Sequence, residues 1–261
     1  MTAGAENSPM PQRFFVNGGD IAGDGLVMEG AVANHIARSL RMHSGDSIVV
    51  VDDLNREHGV LLRSVRPERI EGEVSWTRPV TGEPTLRITV VQALPRERME
   101  DCVDLLVEVG AAEIRPVITE RVVTRAPGDR IPNRVHRWQA VATESAQLAG
   151  RGSIPRVHSP VALADALAAL DNGTRVLACT FDAEQSLAAL DVDSDSPLAL
   201  CVGPEGGFGA GDLETLRQAG AQTVHMGARI LRTRYASAVG CALLLARSGD
   251  LADAVAAAPA P

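Results

Sequence analysis

Residues 198–234, LALCVGPEGGFGAGDLETLRQAGAQTVHMGARILRTR, constrain the fold more than any other stretch of the chain. An apolar run ends in a glycine-dense loop, and a short helical pattern follows. A second apolar run then ends in a glycine and an arginine-rich turn. Loops at the carboxyl ends of strands are where open α/β sheets bind ligands. Two such loops so close in sequence place two ligand-facing edges side by side.

The neighbouring segments supply a sheet around them. LRITVVQAL (86–94) reads as a nearly continuous apolar strand, and RMEDCVDLLVEVG (98–110) as a helix with its acids early and Gly110 to stop it. EIRPVIT (113–119) reads as a strand, and PNRVHRWQAVATESAQLA (132–149) as a long helix with Pro132 near its start. VALADALAAL (161–170) follows as a helix and RVLACTF (175–181) as a strand. LALCV, a helix with Asp212 as N-cap and Gly220 past its end, QTVHM, and a last helix from Tyr235 to Arg247 complete the series. Such alternation implies a parallel sheet covered by helices.

Before this region the rhythm differs. Residues 1–11 read as a disordered leader, RFFV (13–16) as a strand and the glycine-rich 17–25 as a loop. AVANHIARSL (31–40) spaces Val32, Ile36 and Leu40 as a short amphipathic helix does. SIVVVDD, HGVLLRSV and RIEGEVSW are short, β-branched and separated by polar turns. Residues 10–82 are therefore expected to form a small β-barrel or sheet domain, RPVTGEP (78–84) a linker, and 85–250 an α/β domain.

Composition narrows the function. All 25 basic residues are arginine, which removes lysine Schiff-base chemistry and the lysine-dependent phosphate loop. A formal net charge of −8 argues against indiscriminate nucleic-acid binding. Yet eight arginines face three acids between Arg115 and Arg156, and arginine's planar fork suits phosphates and base edges. Solvated ion pairs are the plainer alternative. Cys102, Cys179, Cys201 and Cys241 show no metal-ligand spacing, so they are expected to be small buried hydrophobes, with no metal. No apolar run is long enough to span a bilayer, and residues 1–12 lack a secretory signal's basic start and apolar middle. A cytoplasmic protein without a membrane partner is the expectation.

GPEGGFG (203–209) departs from the G-x-G-x-x-G spacing of dinucleotide sites, which disfavours a nucleotide-dependent oxidoreductase. Its glycines let the backbone approach a ligand closely, although a sharp surface turn would also use them. In GARILRTR (227–234), Ile230 and Leu231 could wall a flat ring such as adenine. Arg232 and Arg234 could hold a phosphate or balance Glu205, and Thr233 is expected to cap the last helix.

Together, VGPEGGFG and MGARILRT closely resemble the cofactor loops of SPOUT methyltransferases. Within these the chain is similar to the small-subunit (16S) ribosomal RNA uracil-N3 methyltransferases. RFFV, NHIARSLRM (34–42), VVQALPRERME (90–100), LLVEVGAAEIRPVITER (105–121), Arg137-Trp138 and GRGSIPRV (150–157) agree, in the expected order over nearly the whole chain. The resemblance implies an N-terminal PUA-like β-barrel that binds RNA and a C-terminal α/β domain with a trefoil knot. It also implies a homodimer, S-adenosylmethionine as methyl donor, and a uridine of 16S rRNA in the small subunit as substrate. Gly203, Pro204, Glu205, Gly206 and Gly207 match the first cofactor loop. Met226, Gly227, Ile230, Leu231, Arg232 and Thr233 match the second, and Thr180 and Phe181 would add a third wall. Arg234 and Tyr235 depart from the family's pattern of a small or acidic residue and then threonine. Leu105 replaces its lysine, and its glutamate-glutamine pair is shifted to Gln147 and Leu148.

Methyl transfer to uracil N3 needs loss of the N3 proton, an in-line arrangement and donors for the charge that develops on the uracil oxygens. Arg232, or an arginine of the basic segment, is expected to be the donor. Glu205 is expected to act as a base or, in preference, to orient the loop. The base would be exposed or flipped. Arg13, Arg38 and Arg41 in the first domain, then Arg121, Arg125, Arg134, Arg137 and Arg151, are the expected RNA contacts. An RNA-binding assembly factor that keeps the fold without turnover, or a related enzyme acting on another base, are the alternatives.

Overall fold

Short β-branched runs bury one face by pairing with their neighbours, and the residues before Gly82 do so. The computed structural model describes residues 12–122 and 131–252, in two units that divide between Gly82 and Glu83. The first unit contains β1 (Arg13–Phe15), β2 (Ile21–Ala22), β3 (Gly25–Glu29) and α1 (Gly30–Asn34), which continues as a π-type turn over His35–Ser39. β4 (Ser47–Val51), β5 (Arg56–Val65) and β6 (Arg69–Pro79) complete it. The strand order is β1-β4-β5-β6-β3-β2, antiparallel except for β1 beside β4. Among the described residues no ladder joins β1 to β2. Phe14, Leu26, Met28, Ile36, Ile48, Leu62 and Ile70 form its core.

Three expectations change here. The segment read as loop leads into β3, whose Leu26 and Met28 alternate inward while Gly25 and Glu29 face out. Its flanking glycines hide that period. The helix expected over 31–40 instead runs from Gly30 and passes into the π-type turn that ends at Ser39, and Arg41 lies beyond it with φ 53°. Arg38 and Arg41 are both exposed. Arg13, expected on RNA, instead pairs at 2.7 Å with Glu57, whose side chain is fully buried and is also held by Arg78. A buried carboxylate needs such partners, and it holds the Arg13 guanidinium inward.

In the second unit strands alternate with helices. They are β7 (Ile88–Ala93), α2 (Met99–Val109), β8 (Glu113–Ile118), α3 (Ile131–Leu148), β9 (Arg156–Val157) and β10 (Val161–Ala162). Then come α4 (Leu163–Ala168), β11 (Arg175–Cys179), β12 (Leu198–Val202), α5 (Ala210–Gln218), β13 (Gln222–Val224) and α6 (Thr233–Ser248). All seven strands are parallel, in the order β10-β8-β7-β12-β11-β13 with β9 beside β8. Parallel sheets are buried on both faces, and every residue of β12 is buried. Cys102, Cys201 and Cys241 pack in this interior as free thiols, and burial pushes the Cys102 and Cys179 thiols up to about 12. The expected 161–170 helix begins as β10, because Val161 and Ala162 pair with Val117 and Ile118.

Arg151 also corrects the sequence reading. Only 3% exposed, it donates Nε and Nη2 to Glu83 at 2.7 and 2.9 Å, and Nη1 to the Val107 and Ala111 carbonyls at 2.7 and 3.2 Å. Such a guanidinium joins the end of α2 to the start of the unit and offers no face to RNA. Burial raises the Glu83 pKa, but the Arg151 bonds and charge, the Gly152 amide and the Ser153 hydroxyl outweigh it, leaving the carboxyl below its ordinary 4.5. A depressed carboxyl stabilises the fold above its unfolded pKa and loses that contribution as pH falls through the folded value. Arg151→Ala should therefore lower stability at neutral pH by about 3 kcal/mol, as for other broken buried pairs. It should also shrink the loss of stability on acidification below pH 4.5, read by denaturant melts across pH.

Candidate functional site

The site begins with a register. Cys179, the last residue of β11, is paired with Val202 at the end of β12 and with Val224 at the end of β13. Three adjacent parallel strands thus finish at one level, and the loops after them leave side by side. The Thr180 amide, donating to the Val224 carbonyl at 2.9 Å, ties two of these exits together.

The glycines of the loop after β12 have separate reasons. A Cβ on Gly203 would stand 3.1 Å from the Phe208 nitrogen and 3.2 Å from the Gly207 carbonyl carbon, so the loop folds back on a bare backbone. Gly207 has φ 70°, a region that costs other residues about 1–2 kcal/mol, and its amide closes a turn on the Pro204 carbonyl at 2.8 Å. Gly209, not Asp212, is the N-cap of α5. Asp212 sits three residues in and accepts the Gly209 amide at 2.8 Å. In the same way Arg232, not Thr233, is the N-cap of α6, its carbonyl accepting the Tyr235 and Ala236 amides while Thr233 is buried.

Between the three loops lies an open cleft. Of the expected residues, Thr180, Phe181, Gly203, Pro204, Glu205, Gly207, Met226, Gly227, Ile230, Leu231 and Thr233 line it. Gly206 and Arg232 do not: Gly206 is exposed on the outer side of the turn, and Arg232 is exposed where α6 starts. Cys179, Val202, Arg229 and Ala236 also line it. Arg229 was visible as a charge within the second loop. Val202 and Ala236 look like any strand or helix residue, and only the register brings them here. Phe181 and Ile230, 70% and 82% exposed, put large apolar side chains at the mouth. Aliphatic and aromatic walls, bare glycine backbone and few fixed charges suit a flat, nucleoside-like ligand.

Glu205 is exposed, and both its carboxylate oxygens lie 3.3 Å from the Arg96 amide, so it ties this loop to the one after β7. The arginines expected on RNA divide. Arg137 is 73% exposed at its side chain and lies 3.2 Å from Glu100. Arg134 stacks on Trp138 at 5.1 Å. Arg121, exposed, donates Nη1 to the Gly206 carbonyl at 2.7 Å. Arg125 lies outside the described residues.

An RNA methyltransferase domain model matches residues 82–245. A Mycobacterium bovis protein named ribosomal RNA small subunit methyltransferase E is 30% identical over 233 residues, covering 87% of this chain and 88% of its own. The chain belongs to this family. A Bacillus subtilis member is 26% identical over 79% of this chain and 84% of its own. A Neisseria gonorrhoeae ribosomal RNA small subunit methyltransferase E, solved bound to S-adenosyl methionine, is 27% identical with a TM-score of 0.79, covering 89% of this chain and 96% of that one.

Where this methyltransferase-family chain departs from the sequence pattern, the structure shows what replaces it. Arg234 lies 4.8 Å over the Tyr235 ring and 3.6 Å from Asp101 of α2. The pair thus braces the start of α6 against α2 beside the second loop. Leu105 is half-buried on α2, and Leu148 is 66% exposed at the end of α3.

Proposed function

We propose that this chain methylates N3 of a uridine in the 16S rRNA of the small ribosomal subunit, with S-adenosylmethionine as methyl donor. The observation that carries the reading is the shared register at Cys179, which sets the GPEGG and MGARIL loops on one cleft. S-adenosylmethionine supplies an electrophilic methyl group when bound. Met226, Ile230 and Leu231 would wall its adenine, and the bare backbone at Gly203, Gly207 and Gly227 would let its polar atoms approach main-chain groups. Glu205, through the Arg96 amide, holds the loop in shape. Arg232, exposed beside the cleft, would reach the uracil oxygens on which charge develops.

The first unit would be a PUA-like, barrel-type RNA-binding module, with the exposed Arg38 and Arg41 as its RNA contacts. The chain end carrying α6 would form the trefoil knot, and the protein would act in the cytoplasm as a homodimer that covers the exposed Tyr235 and Val239 of α6.

Calorimetry with S-adenosylmethionine and mass-spectrometric mapping of the methyl group on small-subunit RNA from a deletion strain test the reading. One N3-methyluridine is expected. A methyl on another base refutes the N3 assignment, and RNA binding without turnover would point to an assembly factor. Glu205→Gln should lower kcat less than about tenfold, whereas loss of a general base costs roughly 10²–10⁴. Arg232→Ala should lower kcat by roughly 10² and leave cofactor affinity unchanged, as for other lost oxyanion donors. RNA binding should weaken linearly on a log–log plot against salt.

A further inference from the structure

The segment after β8 grips the cofactor loop and the first turn of α5 through three contacts, beside a local bond within the loop. Asp212, 6% exposed, accepts the Gly209 amide at 2.8 Å and the Glu120 amide at 3.2 and 3.3 Å. Glu120 Oε1 accepts the Gly211 amide at 3.1 Å, and Arg121 Nη1 donates to the Gly206 carbonyl at 2.7 Å. The sequence leaves room for this grip. A Cβ on Gly209 would stand 1.8 Å from Glu120 Oε2 and 2.9 Å from the Glu120 Cβ, and one on Gly211 would stand 2.1 Å from Oε1. The Glu120 carboxylate occupies the space that side chains would take at the start of α5.

A loop this rich in glycine samples many backbone states, and a ligand that needs one of them must pay for ordering it. Contacts that hold the loop beforehand raise affinity without touching the ligand. We infer that Glu120, Arg121 and Asp212 are positioning residues for the cofactor loop 203–209, and that Arg121 governs methyl-donor affinity instead of contacting RNA. The inference rests on the S-adenosylmethionine reading of the cleft.

Full-length protein with Arg121→Ala, Arg121→Lys or Gly211→Ala tests it. Arg121→Ala should weaken S-adenosylmethionine binding in calorimetry about five- to tenfold, roughly 1 kcal/mol. The RNA KM and the thermal midpoint should stay unchanged, and lysine, which can still donate to the Gly206 carbonyl, should restore most of the affinity. Gly211→Ala, which displaces the Glu120 carboxylate at a position where alanine otherwise favours helix, should weaken cofactor binding in the same direction. A raised RNA KM with unchanged cofactor affinity would return Arg121 to the RNA and overturn the inference. Unchanged affinity in both Arg121→Ala and Gly211→Ala would overturn it too. Failure of the unaltered protein to bind S-adenosylmethionine would instead refute the cofactor reading itself.

Discussion

The pairing of Cys179 with Val202 on one side and Val224 on the other is the constraint on which the rest depends. Parallel ladders join strands that are distant in sequence, so each crossover must return its strand to the same level. When β11, β12 and β13 end together, the three loops that follow them meet at one level. The aliphatic, fully buried β12 fixes this level, because a slip of one residue would exchange its two faces between different helix layers. With only 3% aromatic residues, close packing of alanine, valine, leucine and cysteine holds the sheet in place.

Charge has two fates in this chain. Arg151 with Glu83, and Arg13 and Arg78 with Glu57, are drawn inward, where a carboxylate out of water demands a hydrogen-bonded partner. Arg38, Arg41 and Arg137 stay at the surface, where their charge acts on what approaches. With no lysine present, the same residue type serves both ends, so a count of arginines along the sequence does not separate structural from interacting cations. Burial and partner decide, and both come from segments far apart in the chain. Glu83 and Arg151 are 68 residues apart.

Much of the fold is legible in the residues. β12 is a continuous apolar run and β7 nearly one, and α2 announces its end in Gly110, which takes φ 112°. What stays hidden is short or depends on context. β9 and β10 have two residues each, too few for any period, and exist because β8 offers them an open edge. The helix starts move because carbonyls at Gly209 and Arg232 already accept helical amides, which the side-chain preferences of Asp212 and Thr233 do not reveal. In the site, the two glycine loops are plain in the sequence, whereas Val202 and Ala236 become cleft walls only through the neighbours they meet.

The sequence by itself determined that two glycine-rich loops end buried parallel strands, that no lysine chemistry is available, and that the loops resemble a methyl-donor site. Local backbone preference and hydrophobic period are written residue by residue, so they survive without coordinates. Tertiary structure alone decided that Val202 and Ala236 complete the cleft walls, that Arg151 is a strut, and that Glu120 and Arg121 grip the glycine loop 203–209. Each of these joins residues that no local pattern relates, through registers and buried hydrogen bonds that exist only once the sheet has closed around them.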